Sequence, residues 1–332
     1  LYGLLRVALP MLPEGARMEW VQNLILLLLL GNVLVIGLVT IAQRRLDGML
    51  GSSSVMHMGF VFLGIASYNS IGLSGAILLM FAHGLSIALL FALCGEVRDR
   101  VGTTEFDRLG GLAKLMPVTF LTCTVAALSI SGIPPLNGVA SKWMISQGII
   151  SGGEGTGPGW IVWLAVAMLG SALTLASFVK VLHATFLCKP SALVRQKTIR
   201  ENSISMLLPL LILTVLCIVF GVFAFQSPLG LMVFPVVQAE IPGVWWSGLA
   251  TVLIMTAVFV GLVFYLLSMR GGKIRRMRTY IGGEQMQDVY ISGEGQPDQE
   301  GAEEALQRDV EVTGVDFYNT IEQLPGLHKF YT

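Results

Sequence analysis

The chain has 332 residues, 54% of them hydrophobic and only 13% charged, with a formal net charge of zero and a mean hydropathy of +0.73. Apolar runs of about 20 residues recur along most of its length, which excludes an ordinary soluble domain and a disordered chain. The expected fold is all-α, a polytopic transmembrane helix bundle in a lipid membrane, and no nucleic-acid partner is expected.

The opening Leu1-Tyr-Gly-Leu-Leu-Arg-Val reads as the end of a helix already under way. Residues 1–19 are therefore expected to be a helix end and an external loop, with the N-terminal part of the natural protein missing. Residues 20–269 then give about seven candidate crossings, at about 20–42, 51–69, 73–95, 117–150, 160–187, 203–225 and 246–269. The fourth is unusual. Its halves, 117–131 and 139–150, are each too short to span about 30 Å of hydrocarbon at 1.5 Å per residue. Between them lies Gly132-Ile-Pro-Pro-Leu-Asn-Gly138, where Pro134 and Pro135 remove backbone donors and Gly132 and Gly138 frame the break. A single discontinuous crossing is predicted, with the break near 132–138.

Loop charge agrees with that choice. If segment four crosses once, the loops 43–50, 96–116, 188–202 and 270–280 share one side and carry fifteen Lys and Arg, whereas the loops 10–19, 70–72, 151–159 and 226–245 carry only Arg17. The positive-inside tendency then places the basic loops in the cytoplasm of a cell whose inner membrane holds the chain. Residues 270–332 form a basic anchor followed by an acidic tail on the same side. From Tyr280 to Thr332 the chain holds eleven of its 21 acidic residues, and Gly282 to Gln307 is too polar to fold alone.

Three titratable residues fall inside apolar stretches, where charge is costly and commonly marks an ion or proton path. Lys142 lies just after the helix break, and lysine can give up its proton when desolvated. The backbone groups freed around Pro134 to Gly138 favour a polar cavity beside it. His83 is near the middle of the third crossing, and Gly84 beside it gives other groups room to approach. His57 lies six residues in from the start of the second crossing, about 9 Å from its end by helical rise, after Ser52, Ser53 and Ser54. Imidazole passes a proton either way near neutrality. Lys180 and His183, three apart in the fifth crossing, are expected to share a helix face near the basic-loop side. Snorkelling to the interface is the favoured reading of Lys180, with a proton exit as the alternative. Glu96 and Asp47 are expected to be solvated or paired with arginines.

Cys94, Cys123, Cys188 and Cys217 show no CxxC and no metal-ligand spacing, and the sequence contains no phosphate-binding GxxxxGK[ST], HExxH or triad-like grouping. No metal, cofactor or catalytic centre is expected in this chain.

Four segments carry a family resemblance: Tyr2-Gly-Leu-Leu-Arg6, Gly51-Ser-Ser-Ser-Val-Met-His-Met-Gly-Phe60, Phe81-Ala-His-Gly-Leu-Ser86 and Gly132-Ile-Pro-Pro-Leu-Asn-Gly-Val-Ala-Ser-Lys-Trp143. In order and spacing, over about residues 1–225, they resemble the antiporter-like proton-pumping subunits. These are the M-, L- and N-type subunits of respiratory complex I and their relatives in energy-converting hydrogenases and multisubunit cation/proton antiporters. The resemblance implies that His57 and His83 belong to a central hydrophilic axis and that Lys142 is its terminal charged residue. It implies a proton-translocating subunit, itself without a redox centre, of a complex I-like NADH:quinone oxidoreductase. The alternatives are a membrane-bound energy-converting hydrogenase or a multisubunit sodium/proton antiporter. NADH, flavin, iron–sulfur clusters and quinone are implied only in partner subunits, which would include antiporter-like paralogues and a redox arm. M-type subunits usually carry Glu where this chain has Lys142, so the subtype stays open.

Overall fold

A computed structural model describes residues 27–153 and 159–237, with five further helical positions, 252, 256, 259, 260 and 263. The chain divides into two compact units, Leu1–Met255 and Thr256–Thr332. In the second unit only the last four of those positions are described. The expected N-terminal segment 1–19, most of the crossing 246–269 and the tail 270–332 lie outside the described residues.

The first unit is an all-α transmembrane bundle. Helix α1 (Leu27–Ala42) contains a π-helical stretch at Asn32–Ile36, α2 is Leu46–Ala66 and α3 is Ser70–Val101. The broken crossing forms α4 (Pro117–Ser131) and α5 (Gly138–Gly153). Helix α6 (Gly159–Leu182) runs on through a π-helical stretch at His183–Leu187. After a short helix, α7 (Ala192–Gln196), comes α8 (Ile204–Val222). Among the described residues, four helical runs are long and apolar enough to cross a membrane: Leu46–Ala66, Ser70–Val101, Gly159–Gln196 and Ile204–Val222. Helices satisfy their own backbone groups, as a spanning segment must.

Two expectations need correction. Helix α2 begins at Leu46 rather than near 51, because Asp47 sits in its first turn, where the helix dipole favours a carboxylate, and is held by Arg45 at 2.8 Å. His57 is thus the twelfth residue of its helix, about 17 Å from the end by rise, and is deeper than predicted. The segment 226–245 is not simply a loop. Phe225–Val233 is π-helical and Phe234–Val237 α-helical, since Leu229 and Val233 bury against Ile71, Leu78 and Met144.

Apolar packing brackets a polar layer. Towards the basic loops, Leu50 of α2, Leu89 and Leu93 of α3 and Cys123 and Ala126 of α4 belong to one buried cluster. Towards the opposite end, Phe60, Ala76, Leu79 and Ile145 belong to another. The histidines fall between the two on both α2 and α3. Helices α3 and α5 approach closely through small residues. A Cβ on Gly148 would meet the backbone of Gly72, and one on Gly75 would meet that of Ile145.

Candidate functional site

The site is built on the C-terminal end of α4. Carbonyls in the last turn of a helix lack partners within it and carry its negative partial charge. Gly132, in the left-handed region at φ 81°, turns the chain so that its own N–H and that of Ile133 bond the carbonyls of Ser129 and Leu128, each at 3.0 Å. The next two carbonyls face side chains instead. His57 Nε2 lies 3.3 Å from the oxygen of Ile130, and Lys142 Nζ donates to that of Ser131 at 3.2 Å. One helix end therefore holds both groups. The ring of Phe60 lies beside both, its centroid 5.3 Å from Lys142 Nζ and 6.0 Å from the His57 ring.

His57 is 0% exposed, and its Nδ1 lies 2.8 Å from the Ser53 carbonyl. A neutral imidazole has one N–H and donates to one of the two carbonyls it faces, whereas the protonated ring donates to both. His83, 5% exposed, stacks on it with centroids 4.8 Å apart and planes inclined by 14°. Its Nε2 is 3.0 Å from Ser54 Oγ, and among the described residues its buried Nδ1 has no hydrogen-bond partner.

One turn along α3, Ser86 extends the cluster to the break. Its hydroxyl meets that of Ser129 at 2.8 Å, Ser129 bonds Asn137 Oδ1, and Asn137 Nδ2 donates to the Ala82 carbonyl at 3.5 Å. Helix α8 supports the break from outside. The Asn137 N–H donates to the Cys217 carbonyl at 3.2 Å, and Gly221 lies so close to the backbone of Pro135 and Leu136 that a Cβ has no room. The histidines, Ser86, Ser129 and Gly138 line a common crevice with no room for a water molecule.

The structure thus brings together His57, His83, Lys142 and the break at Gly132, Pro134, Pro135 and Gly138, but separates Lys180 and His183 from them. Lys180 does not snorkel. It is 9% exposed, donates to the carbonyls of Ile41 at 2.8 Å and Gln43 at 2.7 Å, and lies 5.3 Å from the Phe106 ring centroid. His183 is exposed, whereas Lys180 is buried. Gly84 faces open space rather than the cluster. Glu96 is buried rather than solvated and accepts from Thr119, and among the described residues it makes no close ion pair with an arginine. The connecting residues Ser86, Ser129 and Asn137 were not predicted to act together. Ser86 lies three residues from His83, on the same helical face, and that spacing was the available signal.

A polytopic helix bundle with titratable side chains gathered at a broken helix defines an integral membrane protein with a buried polar axis. Residues 1–174 match the NADH:quinone oxidoreductase/Mrp antiporter transmembrane family, and the chain belongs to that family. It is 36% identical over 185 residues to NAD(P)H-quinone oxidoreductase chain 4 2 of Trichodesmium erythraeum (strain IMS101), an alignment covering 56% of this chain and 33% of that protein. The chain therefore matches about a third of the length of this curated relative. In fold it is similar to a chain of respiratory complex I from Thermus thermophilus, with a TM-score of 0.62 at 24% identity over 71% of this chain and 47% of that one. It is also similar to a chain of the membrane-bound sulfane sulfur reductase, an archaeal respiratory membrane complex, with a TM-score of 0.63 at 23% identity over 90% of this chain and 50% of that one.

Proposed function

We propose that this chain is a proton-translocating membrane subunit of a complex I-like NADH:quinone oxidoreductase, and that His57, His83 and Lys142 carry the protons. The observation that supports this reading best is the convergence of His57 and Lys142 on consecutive carbonyls at one helix end. A proton on either side chain is attracted to the same negative helix terminus, and two positive charges there repel each other. Loading one site therefore favours unloading the other. Protons would enter from the cytoplasmic side, pass the stacked histidines and leave through Lys142 on the far side of the break. The resident chemistry is proton transfer alone; NADH, flavin, iron–sulfur clusters and quinone would belong to a redox arm in partner subunits. Antiporter-like paralogues would flank the chain in the membrane. The basic loops and the C-terminal tail would face the cytoplasm of a cell with this inner-membrane complex.

The test is Lys142→Ala in the native complex reconstituted into vesicles. Loss of NADH-driven proton pumping with electron transfer to quinone retained is expected, and intact pumping would contradict the assignment. A second reading, a subunit of a multisubunit sodium/proton antiporter, is favoured by the breadth of the family itself. It predicts sodium-dependent pH changes in vesicles that hold no electron donor. An energy-converting hydrogenase subunit would instead need hydrogen in place of NADH.

A further inference from the structure

A second buried polar cluster stands at the other end of α4. Helices α3 and α4 pack antiparallel in a register fixed by two contacts, Ser86 on Ser129 at 2.8 Å and Thr119 Oγ1 on Glu96 Oε2 at 3.3 Å. Between these contacts the facing residues are Leu89 and Leu93 on α3, and Thr122 and Ala126 on α4, at the three-and-four spacing of a single helix face. All are buried. A continuous seam therefore runs from Glu96 to the serine pair beside the histidines, about 15 Å long by the rise from Thr119 to Ser129.

Glu201, in the segment leading into α8, reaches the same hydroxyl. Its Oε1 bonds Thr119 Oγ1, and its Oε2 accepts from the Val118 N–H at 2.8 Å. A threonine hydroxyl has one hydrogen and cannot donate to two carboxylates at once. With both acids ionised, one carboxylate oxygen would face the Thr119 oxygen with no proton between them. A proton on either acid removes the conflict, because the protonated carboxyl donates to Thr119 and Thr119 donates to the other. Glu96 is 4% exposed, and the charges that act on it are Glu201 and, from its own helix, Arg100. Arg100 is already engaged with Asn202 Oδ1. Asn202 is 6% exposed, and its side chain lies against Glu96 within reach of a hydrogen bond to that carboxylate, although among the described residues its Nδ2 makes no bond of good geometry.

We infer that Glu96 and Glu201 hold one proton between them through Thr119, and that this pair is the uptake site on the basic-loop side for the axis that ends at Lys142. This rests on the proton-translocating reading above. In each transfer the O–H bond of one carboxyl breaks, its proton passes inward along the seam and forms an N–H bond at Nδ1 of His83, and the vacated carboxylate takes its next proton from bulk water. Leu89 and Leu93 form the dry barrier that the proton must cross to reach Ser86.

The test has two arms on the native complex. Infrared spectra of the wild type at neutral pH, subtracted from those of the variants, should show a carboxylic-acid carbonyl band that shifts in heavy water. Glu96→Gln and Glu201→Gln should each remove it, whereas Glu96→Asp and Lys142→Ala should keep it. A band absent from the wild type, or unchanged in both glutamine variants, would overturn the shared proton. In vesicles, Glu96→Gln should lose redox-driven pumping with electron transfer retained. If Lys142→Ala loses pumping and Glu96→Gln keeps it, the uptake site is wrong and the proton-translocating reading stands. If Lys142→Ala pumps normally, that reading itself fails, and the infrared arm alone decides whether the acids share a proton.

Discussion

Lys142 and Lys180 occupy similar surroundings to different effect. Each ammonium lies 5.3 Å from the centroid of a phenylalanine ring and donates to backbone carbonyls at the end of a helix. Lys180 is gripped by two carbonyls, at 2.7 and 2.8 Å, near the end of α1. Lys142 reaches one, at 3.2 Å, and that carbonyl adjoins the one faced by His57. A lysine tied to two carbonyls, with Asp107 and Arg44 as the charges that act on it, has the setting expected of an anchor. A lysine held by one bond, beside a histidine pair and a helix break, can change its proton and its position. Burial alone does not separate the two lysines; the number of carbonyls holding each ammonium and the histidine pair beside Lys142 do.

The contrast can be broken by substitution. The largest effect is expected from Lys142→Arg, which keeps the charge but cannot give up a proton. Redox-coupled pumping should disappear while the complex assembles normally, and retained pumping would make Lys142 a second anchor. Next comes His83→Gln, which keeps polar contact with Ser54 but removes the titrating ring. Stopped-flow proton uptake should slow roughly a hundredfold, the low end for loss of a positioned proton-transfer group. Smallest in function is Lys180→Met, which leaves the Ile41 and Gln43 carbonyls without this donor, at about 1–3 kcal/mol for each buried group. The melting temperature of the complex should fall, with the number of protons pumped per electron unchanged.

Much of this arrangement was legible in the sequence because its causes are local. Long apolar runs mark the crossings, and two prolines between glycines mark the break wherever the rest of the bundle lies. His57, His83 and Lys142 stood out because each is a titratable side chain in an apolar run. What escaped depends on residues far apart in the chain. The burial of Lys180 follows from the end of α1 and from Phe106, more than seventy residues away along the chain. The burial of Glu96 follows from the antiparallel register of α3 on α4, and from Glu201 sharing the Thr119 hydroxyl. The helical segment after residue 225 was hidden because its anchors, Leu229 and Val233, pack against α3 and α5 rather than against neighbours in sequence.

The central claim, that Lys142 works while Lys180 only holds, is tested most directly by measuring protons pumped per electron for Lys142→Ala and Lys180→Met side by side in reconstituted vesicles. The account predicts a lower ratio in the first variant and an unchanged ratio in the second, with electron transfer retained in both. An unchanged ratio in Lys142→Ala, or an equal fall in both variants, would contradict it.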